Sequence, residues 1–283
     1  MTGSIIISGK DIKSAYGAYL VDGALSDLPC FPDMKEPERN DWYEEDGIEV
    51  DLEKPCVESH EMTVSMMMPG SLGNVSSLME YVRSARFHDV EFSEAGRSRK
   101  LRLVSMMATG LSMGLFGIDI TLADESPLEG LSGGDVTSSS RQCGLAMDGV
   151  DLCAYGILLN GNADHLWPSA EVKDNILAES DFINGEKHYD EMEEAEDDRM
   201  KVTVHSDDIK VGCVMISKSI TEFWRKRDAL LTALVAPGER TLSYMGRSYK
   251  AYYKNCNSSL FDYSGGKKWW EFELTFGYIG EVI

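Results

Sequence analysis

The chain has few positively charged residues for its size. It contains 27 lysines and arginines against 48 aspartates and glutamates in 283 residues, a net charge of −21. A protein whose main role is to grip nucleic acid neutralises phosphates with lysine and arginine, so this balance argues against that class. The negative charge fits three alternatives: high solubility, a basic partner, or a surface that must not retain DNA.

Long apolar segments are also missing. The most apolar run, residues 106–118, is broken by glycine and is shorter than the ~20 residues that a membrane helix needs. The N-terminus lacks the basic start and apolar core of a signal peptide. The six cysteines show neither a C-x-x-C motif nor zinc-ligand spacing, which favours buried thiols in a reducing cytoplasm. We therefore expect no membrane contact, no metal and no cofactor.

Common catalytic motifs are absent from the sequence. The five histidines show no metal-ligand spacing, and neither a glycine-rich phosphate loop nor a nucleophile elbow is present. The carboxylates of residues 190–198 lack the order of a calcium loop. The methionines at 66–68 and 106–107 are typical of core packing. An enzyme would need acid–base groups that the sequence does not reveal, so we expect no catalytic activity.

What the chain does contain is a helix followed by a β-hairpin, in two copies. The second copy occupies residues 217–254. Ser219 and Glu222 predict a capping box at the start of its helix. The apolar residues that follow fall mostly on one helical face, and two strands are predicted to meet at Met245-Gly246.

The first copy occupies residues 76–103, where Ser77 and Glu80 predict the capping box. The tripeptide Gly-Arg-Ser at residues 96–98 recurs at residues 246–248, an offset of 246 − 96 = 150. The two predicted caps are offset by only 219 − 77 = 142. The pattern therefore predicts an internal duplication in which the second helix and turn are longer by eight residues.

The remaining segments follow the same duplicated order. Each half has short strands, then an acidic excursion at residues 31–61 or 169–199, then an alternating strand, the helix, the hairpin and a last strand. Like charges repel one another and do not pack against a core, so we expect the excursions to be exposed loops. This order predicts an α+β fold, mainly β, of two duplicated domains, each an antiparallel β-sandwich or split barrel with one packed helix.

A serine- and glycine-rich stretch at residues 124–143 is typical of a connection between domains. The predicted division is residues 1–125 for the first domain, 126–145 for the linker and 146–283 for the second domain.

Aromatic and acidic side chains of the second half are the candidates for a subunit interface. Tyrosine and tryptophan are enriched at interfaces, although core packing is the alternative for those on strands. The predicted interface residues are Trp167, Asp190, Glu193, Glu194, Asp197, Tyr249, Tyr252 and Trp269.

The second copy also resembles a known family. The segments LLTAL, PGER and GRSYKAYY follow one another at residues 230–253. This order is similar to the tail-tip proteins of long-tailed bacteriophages and prophages, in particular the distal tail protein and related tail-tube and hub domains. The chain departs from many members in that a second tube-like domain stands where they carry a carbohydrate-binding-like domain.

The resemblance implies a structural protein that closes into a ring of three or six copies and contacts other tail proteins. It implies assembly in the host cytoplasm followed by residence in the virion tail. DNA would pass through an acidic lumen without being gripped. The alternative is a duplicated β-domain module that binds a carbohydrate or protein ligand, which predicts a monomer with a cleft ringed by exposed aromatic side chains.

Overall fold

The computed structural model describes residues 4–42, 46–112, 114–131, 141–160 and 208–281, with four two-residue strands between residues 171 and 205. We call residues 4–131 the first half and residues 141–281 the second half. The helices are α1 (Ile12–Tyr16), α2 (Leu72–Arg83) and α3 (Ile220–Leu234), and a 3₁₀ turn spans Leu152–Tyr155. The strands before residue 132 are β1 (Ile5–Ile7), β2 (Lys10–Asp11), β3 (Tyr19–Leu20), β4 (Arg39–Asn40), β5 (Glu49–Val50), β6 (His60–Pro69), β7 (Phe87–Phe92), β8 (Arg97–Ser112) and β9 (Leu115–Asp124). The later strands are β10 (Leu145–Met147), β11 (Val150–Asp151), β12 (Ile157–Leu159), β13 (Glu171–Val172), β14 (Phe182–Ile183), β15 (Glu186–Lys187), β16 (Val204–His205), β17 (Ile209–Ser217), β18 (Arg240–Tyr244), β19 (Arg247–Asp262) and β20 (Lys268–Glu281).

Each half forms one antiparallel sheet of seven strands. The order in the first half is β2-β1-β7-β8-β9-β6-β3, and the order in the second half is β11-β10-β18-β19-β20-β17-β12. Every position in one order has its counterpart in the other. The predicted α+β class, mainly β, is confirmed. The residue boundaries of the predicted domains stay a prediction.

Alternation builds the core between each sheet and its helix. In β6 the side chains of Met62, Val64, Met66 and Met68 are buried on one face. The helix covers that core with three apolar residues at helical spacing. Core packing is thereby confirmed for Met66 and Met68, but it is wrong for Met107, whose side chain is 59% exposed on β8.

Both predicted hairpins are present, with different turns. The second hairpin joins Tyr244 to Arg247 through Met245 and Gly246, which both have positive φ (47° and 82°). This is the backbone pattern of a two-residue turn that matches the twist of its strands. The first hairpin needs four residues between its strands, and it ends in a glycine at φ 62°.

The predicted start of the first helix is wrong. α2 begins six residues earlier than the Ser77 capping box implied, with Ser71 as its N-cap. Ser77 lies inside the helix, where its hydroxyl donates to the Gly73 carbonyl at 2.9 Å. The N-caps in the structure are offset by 219 − 71 = 148, whereas the Gly-Arg-Ser tripeptides are offset by 150. The segment from the N-cap to the hairpin is therefore longer in the second half by two residues, and the predicted difference of eight residues is wrong. The capping box of α3 is confirmed, since Ser219 accepts from the Glu222 N–H and the Glu222 carboxylate accepts from the Lys218 N–H.

Candidate subunit interface

The two halves meet where the β7–β8 hairpin of the first half lies on α3 of the second half. Ala95 at the tip of the β7–β8 hairpin is fully buried, and its carbonyl accepts a hydrogen bond of 2.6 Å from the Trp224 indole. Gly96 lies so close to Ile220 that an added Cβ would be 3.2 Å from Cγ2 of that side chain. The small residues Ala95 and Gly96 therefore allow the hairpin tip to approach the large Trp224 side chain on α3.

A buried charge network joins the same two elements. Asp228 on α3 is 1% exposed and accepts two parallel hydrogen bonds of 3.1 Å from the Arg97 guanidinium of the first hairpin. It also accepts a bond of 3.0 Å from Arg227. Burial lowers the pKa of Arg227, and the Asp228 carboxylate opposes this shift by favouring the charged form. One carboxylate is therefore shared by two guanidinium groups, one from each half.

Arg227 in turn fixes the start of the first acidic excursion. Its guanidinium donates to the carbonyls of Pro29 and Cys30 at 2.9 and 2.8 Å and lies over the Phe31 ring. Phe31 is buried among aromatic side chains of the second half and meets the Trp270 ring edge-on, with ring centroids 5.3 Å apart. We call Phe31 and its ring neighbours the aromatic cluster, which consists of Phe31, Tyr253, Trp270 and Phe272.

The rest of this excursion follows the second sheet. The Met34 N–H donates to the Lys254 carbonyl, and the Ile48 N–H donates to the Ile279 carbonyl at 2.9 Å. Leu52 is buried with Tyr252 and Ile279 in a small apolar cluster. Most described residues of this excursion are exposed, as predicted, but the excursion is not held off the protein, because its few apolar residues and its backbone groups bind the second sheet.

The corresponding face of α2 and the tip of the second hairpin are exposed. Counted from the N-caps, Leu72, Ser76 and Glu80 of α2 occupy the positions of Ile220, Trp224 and Asp228 of α3, and all three are exposed. Leu72 is 67% exposed, and Met245 at the tip of the second hairpin is 76% exposed. These are the two most exposed large apolar side chains among the described residues. The hairpin–helix contact between the halves therefore involves the first hairpin and α3, and it leaves the equivalent face of α2 and the tip of the second hairpin exposed.

The residues predicted for the interface fall into two groups. Trp167, Asp190, Glu193, Glu194 and Asp197 lie outside the described residues.

The other three predicted residues lie on β19 and β20. Tyr249 and Tyr252 are buried within the chain, and burial raises the pKa of Tyr249 to about 12. Trp269 is half-buried, and its indole donates to the Glu271 carboxylate at 2.8 Å. Their role at an interface stays a prediction, and the two tyrosines already pack inside the chain.

Sequence reasoning missed one group of potential metal ligands. Ligand atoms of Cys143, Asp151 and Cys153 lie within 4.8 Å of one another. The Asp151 carboxylate accepts backbone N–H bonds from both cysteines, and burial raises the pKa of Cys153 to about 12, which disfavours the thiolate that metals bind. Asp11 caps α1 in the first half in the same way and accepts from the Ser4 hydroxyl. The repeated arrangement favours a structural cap over a metal site.

A polar cleft of about 440 Å³ lies between the halves beside His60. Burial, with a contribution from nearby Glu58, raises the pKa of Asp33, and burial lowers the pKa of His60, whose Nε2 lies 3.0 Å from the Asp27 carbonyl. The cleft's aromatic lining residue is Phe31, which is buried. This cleft differs from the one ringed by exposed aromatic side chains that the binding-module alternative predicts.

Comparison with solved structures finds a neighbour of low similarity. No protein-family model and no curated protein matches the chain. The chain is similar to a crystal structure of the SPP1 Dit (gp 19.1) protein, described as a paradigm of the hub adsorption apparatus in phages that infect Gram-positive bacteria. The two chains are 11% identical with a TM-score of 0.32, and the match covers 45% of this chain and 51% of that one. The chain thus spans about half the length of that protein. None of the helices in the described ranges is both long and apolar enough to cross a membrane.

Proposed function

We propose that this chain is a non-enzymatic structural component of a phage or prophage tail, which self-assembles into a ring that joins the tail tube to the tail tip. The proposal begins from the resemblance of residues 230–253 to tail-tip proteins. Its partners are further copies of itself and the neighbouring tail proteins.

The head-to-tail contact between the halves carries this proposal. The hairpin of one half lies on the helix of the other, and the two sheets have the same strand order. A contact of this kind differs from a two-fold one, because its two surfaces are different and each copy keeps one of each for the next. Three copies would supply six equivalent units, and a ring that closes leaves no surface unpaired.

The acidic composition gives the ring a second property. With a net charge of −21, an inner surface that carries part of the acidic excess repels DNA phosphates. DNA would then move through the lumen without being held. A solved ring with a neutral or basic inner surface contradicts this part of the proposal.

The proposal is tested by the mass of the purified protein in solution. Light scattering at several concentrations is expected to give a trimer or a hexamer of the 31.4 kDa chain, or a monomer that assembles as concentration rises. Negative-stain electron microscopy is then expected to show closed rings. A monomer at every concentration would support the binding-module alternative.

A further inference from the structure

The contact within the chain is a template for a contact between chains. Where the first hairpin lies on α3, this contact includes three pairs: Gly96 on Ile220, Ala95 on Trp224, and Arg97 on Asp228. Each of these residues has a counterpart in the other half, fixed by the distance from an N-cap or from the repeated Gly-Arg-Ser tripeptide.

On the helix side, the counterparts keep the chemistry at both ends of the contact. Leu72 replaces Ile220 and is apolar, and Glu80 replaces Asp228 and is acidic. Between them, the small Ser76 replaces the large Trp224. Leu72, Ser76 and Glu80 lie on one side of α2, away from the buried residues that face its own sheet.

On the hairpin side, a large residue replaces a small one. Met245 replaces Ala95, and it is followed by Gly246 and Arg247, as Ala95 is followed by Gly96 and Arg97. Within the chain a small tip residue meets a large helix residue. Between the exposed counterparts a large tip residue meets a small helix residue. The size difference between the paired residues is thus reversed, so that neither contact brings two large side chains together.

Charge is complementary as well. Arg247 is exposed on the second hairpin, and Glu80 is exposed on α2. Their counterparts, Arg97 and Asp228, form the bidentate pair of the contact within the chain. Opposite charges at equivalent positions fix the orientation of two surfaces and disfavour other pairings.

We propose that the tip Met245–Arg247 of one copy binds the α2 face formed by Leu72, Ser76 and Glu80 of a second copy, in the geometry of the contact within the chain. Met245 lies over Ser76 and against Leu72, and Arg247 pairs with Glu80. The same contact repeats from copy to copy, head to tail. This interface rests on the proposed ring function and specifies the surfaces through which the ring closes.

A size exchange tests the interface directly. Ser76→Trp fills the space that Met245 enters, and it is expected to abolish self-association in light scattering. Met245→Ala alone weakens it. The double variant recreates the Trp224–Ala95 pair and is expected to restore assembly. Both sites are exposed, so each variant keeps its far-ultraviolet circular dichroism spectrum and melting temperature.

A charge exchange provides the second arm. Arg247→Glu and Glu80→Arg are each expected to weaken self-association by about tenfold or more, and the double variant is expected to recover it. Folding is again followed by circular dichroism, because Arg247 also makes contacts within its own chain.

Cross-linking shows which copies touch. In a Cys56→Ser background, which removes an exposed thiol, a Ser76→Cys protein is mixed with a Met245→Cys protein and treated with a short bismaleimide. Cross-linked dimers are expected in the mixture and not with either protein alone.

The outcomes separate the interface from the function. Assembly that survives Ser76→Trp and both charge reversals, with no cross-link in the mixture, overturns the interface and leaves the ring function standing. A wild-type chain that stays monomeric under all conditions overturns both.

Discussion

Asp228 is the residue whose loss should most disturb the union of the two halves. Its carboxylate accepts three hydrogen bonds of 3.0–3.1 Å from two guanidinium groups, and it is 1% exposed. Asp228→Asn removes the negative charge and leaves Arg97 and Arg227 facing each other at a buried contact. Removing one partner of a buried ion pair costs about 3–5 kcal/mol, because the remaining charge is uncompensated.

That cost is a large share of the total stability of a folded protein, which is about 5–15 kcal/mol. We expect Asp228→Asn to lower the midpoint of urea unfolding followed by circular dichroism. Urea is the suitable denaturant because it carries no charge and does not screen the network. Because Arg97 belongs to the first half and Asp228 to the second, we also expect the halves to unfold in separate steps.

The matched control is Glu80→Gln, at the same distance from the N-cap of α2. Because Glu80 also belongs to the proposed interface, the variants are compared at a protein concentration at which the chain is monomeric. Glu80 is exposed, so under that condition Glu80→Gln should change stability by less than about 0.5 kcal/mol. A loss of less than about 1 kcal/mol in Asp228→Asn, or an equal loss in the two variants, would refute the role given to the buried network.

Three further predictions concern the first excursion and its surroundings. Phe31→Ala should cost about 3–5 kcal/mol in urea unfolding, because it empties the centre of the aromatic cluster; a cost below about 1 kcal/mol would show that the excursion is not anchored there. Gly47→Ala should cost about 2 kcal/mol or more of unfolding free energy, because an added Cβ would lie within 2 Å of the Ile279 carbonyl oxygen. The control Gly9→Ala has a similar φ but open space around it, and it should cost only about 1 kcal/mol. Equal losses in the two variants would contradict the close approach at Gly47. Burial holds the pKa of His60 below its ordinary value of 6.5, so the unfolded chain takes up a proton before the folded chain does as the pH falls. The free energy of unfolding should therefore decline from about pH 7 to pH 5 more steeply in the wild type than in His60→Gln. Parallel pH profiles of the two proteins would contradict this.

Local pattern was sufficient for the elements that repeat. The strand alternation, the Met245-Gly246 turn of the second hairpin and the Ser219 capping box are all encoded within a few residues, and the structure has them where they were predicted. The start of α2 was misplaced because Ser77 and Glu80 imitate a capping box inside the helix. The Pro69-Gly70 pair before Ser71 was the better signal of its beginning.

Contacts between distant segments could not be predicted in this way. Nothing near Phe31 in the sequence indicates that it enters an aromatic cluster more than 200 residues away, and the acidic residues around it favoured an exposed loop. The Arg227-Asp228 pair has the appearance of a solvated helix surface, yet it is buried because Arg97 and the carbonyls of residues 29–30 complete its hydrogen bonds.

Native mass spectrometry of the wild-type chain beside Ser76→Trp and Ser76→Trp/Met245→Ala tests the central claim most directly. Self-assembly through the helix face and the hairpin tip predicts a trimer near 94 kDa, from three 31.4 kDa chains, or a hexamer of twice that mass for the wild type. It predicts a monomer for the single variant and the assembled mass again for the double variant. A wild type that remains at 31.4 kDa at every concentration would contradict it.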